Sequence, residues 1–179
     1  MTTLSQFTLF AAYNQLMNQR IFTAAEQLTS AQLSLDRGAF FKSVLGTLNH
    51  ILVGDIIWLK RFAAHASSGQ ALSYISGLDK PTSLDAMLFD DIYELKTERE
   101  NIDNIIINWI SQLTEADINE CITCTSMAGK SFTKPYVSLI SHLFLHQVHH
   151  RGQATTLLSQ FGVDFGETDI IEIVQECDV

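Results

Sequence analysis

Cysteine is scarce. Cys121, Cys124 and Cys177 are the three in 179 residues, an odd number and too few to staple a chain long enough to close its own core. A disulfide framework is excluded, and a reducing cytoplasm is the compartment that fits. Positive charge is scarce as well: 11 Lys and Arg stand against 20 Asp and Glu, for a formal net charge of -9 and a pI near 4.9. The resulting field repels phosphate backbones, and no basic cluster interleaved with aromatics overrides it locally, so direct nucleic-acid binding is not expected. Also missing is any run approaching the roughly 18 apolar residues that a membrane span needs. The opening Met1-Thr2-Thr3-Leu4-Ser5-Gln6 carries no basic leader followed by an apolar stretch. No membrane partner is expected, and the chain should stay where it is made.

What the chain does have is apolar residues at helical period. Hydrophobic residues make up 46% of it, enough for one core and too few for two comfortable domains, so a single domain over residues 1–179 is expected. Across residues 4–28, Phe10, Tyr13, Met17, Ile21, Ala24 and Leu28 recur every three or four positions, the spacing of one buried helical stripe. A second stripe runs through Phe41, Val44, Leu48, Leu52, Leu59 and Phe62 and dissolves in the small and polar run 63–69. Residues 70–81 carry glycine, serine and proline and predict a long connection with one short helical turn. Thr82 and Asp85 have capping-box spacing, and Leu84, Leu88, Ile92, Leu95, Ile102, Ile106, Trp109 and Leu113 follow at helical period, which predicts a third helix starting at the Thr82 cap. Residues 121–125 and 131–133 flank a glycine turn and suit a small hairpin. Pro135 is placed for a first helical turn, residues 136–161 run on with Gly152 as the one breaker, and Gly162 offers a left-handed stop. Residues 164–179 look like an acidic surface appendage. The fold class is all-α: a four-helix bundle with a long crossover connection and a small β-hairpin before the last helix.

Four of the six histidines fall in His142-Leu-Phe-Leu-His146-Gln-Val-His149-His150. Residues four apart on a helix share a face, with Cβ atoms about 5–6 Å apart, so His146 and His150 can aim two imidazoles at one point. Zinc or nickel accepts neutral imidazole nitrogen at about 2.0–2.1 Å and needs at least a third protein ligand from another helix. His50 is the candidate, because it sits mid-helix in an apolar segment where an unpaired imidazole would cost stability. Ser43, Gly46, Thr47 and Gly54 stand at helical spacing from it. Such a wall of small side chains either lets another helix pack closely or leaves a hollow where a substrate could enter. The blander account is ordinary: most helical histidines are surface or hydrogen-bonded residues, and His-x-x-x-His by itself is a weak motif. His142 and His149 compete at the same spacings, which do not choose among them, and His65 falls in the connection, where exposure is the default.

Taken together, His146-Gln-Val-His-His150-Arg151-Gly152-Gln153 closely resembles the signature of the DinB-like (DinB/YfiT) metal-binding four-helix bundles. Tyr13-Asn14-Gln-Leu-Met-Asn18-Gln-Arg20 looks like that family's first helix. Leu48-Asn49-His50-Ile51-Leu52-Val53-Gly54-Asp55-Ile-Ile-Trp58 is similar to its second, and Gly162-Val-Asp164-Phe-Gly-Glu-Thr-Asp169 to the stretch after its last. The resemblance implies one ligand from the second helix and two from the last, which here are His50, His146 and His150. Three protein ligands leave a position for water or substrate, the arrangement of a catalytic rather than a closed site. It also implies a homodimer and kinship with thiol-dependent S-transferases, in which a divalent metal ion sharpens a low-molecular-weight thiol for attack on an electrophile; coordination lowers the thiol pKa so that a nucleophile exists at neutral pH. The alternatives are a metal-dependent hydrolase, which would need a nearby Asp or Glu base, and a non-catalytic metal-binding dimeric module in which the ion fastens two helices together.

Several residues stay open at this level. Gln153, seven after His146, returns to the site face and could orient a ligand or simply bond another helix. Arg151 could pair with an acidic residue or bind an anionic substrate. Asp55 points away from His50 and suits a structural partner, while Asn14 and Asn49 are undecided. Cys121-Ile-Thr-Cys124 stands alone, without a second such pair for a zinc ribbon, and in a strand its two sulfurs would point to opposite faces.

Overall fold

The Thr2 hydroxyl accepts the Ser5 N–H at 3.2 Å, supplying one of the donors that a helix start leaves unpaired. In the computed structural model, which describes residues 2–65 and 68–176, α1 then runs Thr3–Ala25. A single-turn helix, α2 (Ser30–Ser34), follows behind a Thr29/Gln32 capping box. Helix α3 (Val44–Ala63) starts from Ser43, whose hydroxyl accepts the Gly46 N–H at 3.0 Å. The connection beyond it holds α4 (Ser73–Gly77), the helical turn expected in residues 70–81. Then come α5 (Ile92–Gln112), α6 (Glu115–Ile118), the antiparallel strands β1 (Cys121–Thr125) and β2 (Ser131–Pro135), and α7 (Tyr136–Ser159). Gly162 takes the left-handed conformation expected of it, at φ 72°. The chain is an all-α bundle with a small hairpin before its last helix.

Three expectations are corrected. The third long helix begins at Ile92, not at Thr82: Asp91 is its cap, accepting Tyr93 N–H at 2.8 Å and Glu94 N–H at 3.0 Å. Residues 81–90 instead lie along α3, because Asn49 clamps them there. Its Oδ1 accepts Leu88 N–H at 2.8 Å and Phe89 N–H at 3.0 Å, while its Nδ2 donates to the Phe89 carbonyl at 2.9 Å. Phe41 belongs to the turn before α3 rather than to that helix. Residues 164–176 are tied down rather than appended, since the Tyr13 hydroxyl donates to the Thr168 carbonyl at 2.6 Å and Arg20 pairs with Glu172 at 2.7 Å. Cys177 and the run at 66–67 lie outside the described residues.

Helix α1 packs mainly on α5 and α3 mainly on α7, and α1 also touches α7. The α3/α7 pairing faces His50 toward the last helix. Trp109, Phe62 and Tyr136 anchor one end of the core, with Phe62 5.3 Å from each of the other two rings. Their polar edges are satisfied at Ser68, which accepts from Trp109 Nε1 at 2.9 Å and bonds the Tyr136 hydroxyl at 2.8 Å. No helix among the described residues is long and apolar enough to cross a membrane.

Candidate metal centre

His50 on α3 and His146 and His150 on α7 come together, each offering a ring nitrogen within 4.8 Å of the others. Two of the three rings are locked from behind. The Leu84 carbonyl lies 2.7 Å from His50 Nδ1, and Gln153 Oε1 lies 2.8 Å from His150 Nδ1. Both outer groups are oxygen acceptors, so each Nδ1 carries the hydrogen and each Nε2 keeps a lone pair facing inward. Those two Nε2 atoms are 3.1 Å apart.

Burial keeps the imidazoles neutral. It pushes the His50 pKa down to about 4, against a partial lift from the Leu84 carbonyl. His146 is pushed down to about 3 by burial and then by the neighbouring imidazoles. His150 is lowered chiefly by burial, with Gln153 opposing. Two neutral imidazoles whose lone pairs converge at 3.1 Å repel unless something electropositive sits between them. Nitrogens in a tetrahedral zinc site with bonds of about 2.0–2.1 Å are about 3.3 Å apart, so the spacing fits a shared ion. On His146, Nδ1 is buried without a hydrogen-bond partner, an atom that a folded protein ordinarily satisfies. The residues present therefore fit a divalent cation, and the cluster could hold one.

The small residues near His50 serve close approach. A Cβ on Gly54 would lie 2.6 Å from His146 Cε1, so the bare backbone of α3 is what lets that ring in. A Cβ on Gly46 would lie 2.2 Å from the Phe41 carbonyl oxygen. That approach seats the turn in which Lys42 takes φ 67°, a left-handed conformation costly for a side-chain-bearing residue. The turn delivers the Phe41 ring flat onto His50, centroids 3.6 Å apart and planes 13° apart. Sequence reasoning missed this lid over the imidazole, because Phe41 continues the apolar period of α3 and nothing local marks it as standing outside the helix.

The competing histidines stay outside the cluster. His142 packs edge-on against Trp58 at 4.8 Å, His149 meets the Gln153 amide nitrogen at 3.4 Å, and His65 pairs with Glu120 at 3.0 Å. Gln153 does sit behind a cluster histidine, as its spacing allowed. Asp55 is fully buried and paired with Arg99, which also contacts Asp103 at 3.0 Å. Asn14 donates to Asp103 at 3.1 Å and accepts from Arg151. Cys121 is exposed and Cys124 buried on alternate faces of β1.

The model of the DinB family matches residues 1–175. Protein DinB of Bacillus subtilis (strain 168) is 23% identical over 158 residues, covering 88% of this chain and 87% of that protein.

Proposed function

The chain belongs to the DinB family, and from that premise we propose that it binds one divalent metal ion, zinc or nickel, through His50, His146 and His150, and works as a metal-dependent thiol S-transferase. The observation that carries this reading is the pair of inward Nε2 atoms 3.1 Å apart on rings locked by Leu84 and Gln153. An ion bound there supplies Lewis acidity, lowering the pKa of a thiol so that a nucleophile is available at neutral pH. The protein's part is positional. Leu84 and Gln153 fix two tautomers, Gly54 admits the third ring, and Phe41 covers one face of His50, keeping water from that side.

Transfer to an electrophile fits better than hydrolysis, which would want a carboxylate base. The three candidate ligands include no carboxylate and buried Asp55 is engaged by Arg99, which leaves Asp85, beside Leu84 in the cavity that Phe41 and Gly46 line, as the carboxylate a hydrolase would have to use. We place the protein in the cytoplasm as a homodimer that takes a low-molecular-weight thiol and a small electrophile. Because the three histidines come from α3 and α7, the ion also ties those helices together, which is all a non-catalytic module would need.

Elemental analysis of untagged protein beside His50→Ala, followed by a thiol-conjugation screen on the loaded form, tests both levels. Stoichiometric metal in the parent and its loss in the variant are expected. Protein that holds no metal even when supplied with zinc and nickel overturns the site, and loaded protein that conjugates no thiol leaves the module reading in place of the transferase.

A further inference from the structure

Arg151 follows His150 but faces the other way, toward α1, and its surroundings are unusual for a cation. It is 5% exposed, and its hydrogen-bond acceptors are neutral amide oxygens: Asn14 Oδ1, Asn18 Oδ1 at 3.3 Å and Gln147 Oε1 at 3.2 Å, all reached by Nη1. Its Nη2 is buried with no hydrogen-bond partner. The Tyr13 ring lies 5.5 Å from the guanidinium carbon. The carboxylates of the same interior, Asp55 and Asp103, are both taken up by Arg99. Asp103 and Asp55 act on Arg151 through space, but no carboxylate is hydrogen-bonded to it; a guanidinium has five donors and is rarely buried without an anion directly against it, and here Nη2 is the donor left over.

Arg151 lines two adjoining cavities. The larger, about 320 Å³, is walled by Phe10, Phe144, Leu145 and Ile170, and the smaller, about 250 Å³, by Met17 and Ile21. Tyr13, Val148, Arg151 and Thr168 border both. Together they have the size of a small-molecule site, and Arg151 is the one cation among their lining residues. Asp169 also lines the larger cavity and would repel a second negative charge.

We propose that this cleft between α1, α7 and residues 168–170 binds a small monocarboxylate with an apolar body, its carboxylate on the Arg151 guanidinium and its hydrocarbon among Phe10, Phe144 and Ile170. The proposal does not rest on the metal reading. The site lies on the α1 side of α7, whereas the histidine cluster lies on the α3 side.

The test uses octanoate and its uncharged isostere octanamide, titrated calorimetrically into metal-loaded and chelator-treated protein. Octanoate should bind at least about tenfold more tightly than octanamide, the difference between a charge-assisted and a neutral hydrogen bond, and equally well with or without metal. Arg151→Gln should abolish that preference. Val148→Trp, at a position 44% exposed on both cavities, should weaken both ligands at least tenfold while leaving the helical circular dichroism intact, and it carries the test if Arg151→Gln fails to fold. Equal affinities, no binding of either ligand at millimolar concentration, unchanged binding in Val148→Trp, or octanoate binding that disappears with the metal would each overturn the proposal. So would a change of mass by light scattering in Val148→Trp with no octanoate binding in the parent, which would mark the face as a contact between copies.

Discussion

Gly54 and His146 touch so closely that no side chain fits between them: a Cβ on the glycine would stand 2.6 Å from Cε1 of the imidazole. Gly54→Ala must therefore displace the ring or spread α3 from α7. A loss of about 1–3 kcal/mol in stability is expected from overpacking, and metal affinity should fall at least about tenfold, as for a disturbed metal shell. Thermal unfolding and competition with a chromophoric chelator measure the two separately. Undiminished affinity would mean that His146 is not a ligand.

Gln153 accepts from His150 Nδ1 at 2.8 Å and so decides which nitrogen faces the centre. Gln153→Leu keeps the volume and removes the acceptor. Metal affinity should drop about 10–100-fold, the usual effect of losing such an orienting partner, with little change in melting temperature because the residue is only half-buried. If affinity holds while stability falls, the glutamine serves packing alone.

Asn49 is buried with bonds to Leu45, Leu88 and Phe89. Asn49→Ala strips partners from three backbone groups of the crossover and should cost about 1–3 kcal/mol. Hydrogen exchange should speed up over residues 84–90 and stay unchanged in α1. A uniform speeding throughout the chain would contradict a local clamp.

Acid should destabilise the metal-free protein through the cluster. The folded-state pKa values of His50, about 4, and His146, about 3, lie below the unfolded value of about 6.5. Between these limits the unfolded chain binds more protons, so stability is fully present above about pH 6.5 and declines as pH falls toward 4. Asp55 runs the opposite way, since burial raises its pKa to about 6 and a proton on it favours the folded form below that. Melting curves of the parent and His146→Leu in chelator cancel the Asp55 contribution. The variant should show the shallower loss between pH 6.5 and 4, and parallel curves would refute the buried neutral imidazole.

The four long helices were legible because their apolar faces repeat at helical period, and the hairpin because its glycine turn separates two short polar-apolar runs. The last helix was readable almost to its end, since Gly162 supplies a stop that only the left-handed region provides. The crossover was not. Thr82 and Asp85 carry the right residues at the right spacing for a cap, and Leu84 and Leu88 continue the period backwards, yet Leu84 is 50% exposed. A long-range side chain, Asn49, outcompetes the helix for the backbone groups of Leu88 and Phe89. Likewise no spacing rule connects Leu84 to His50, 34 residues away. Spacing alone left His142, His146, His149 and His150 as equals; the structure separates them by what each ring meets, His50 for His146 and His150, Trp58 for His142 and the Gln153 amide for His149.

His50 is oriented by a peptide carbonyl of the crossover, and that bond can be followed in reverse. Linkage is reciprocal: whatever free energy a docked crossover lends to ion capture, by aiming His50 Nε2, the captured ion returns as resistance of that crossover to opening. Residues 78–91 thus become a gauge of occupancy, and the rate at which a protease nicks them should report metal loading without any assay of turnover.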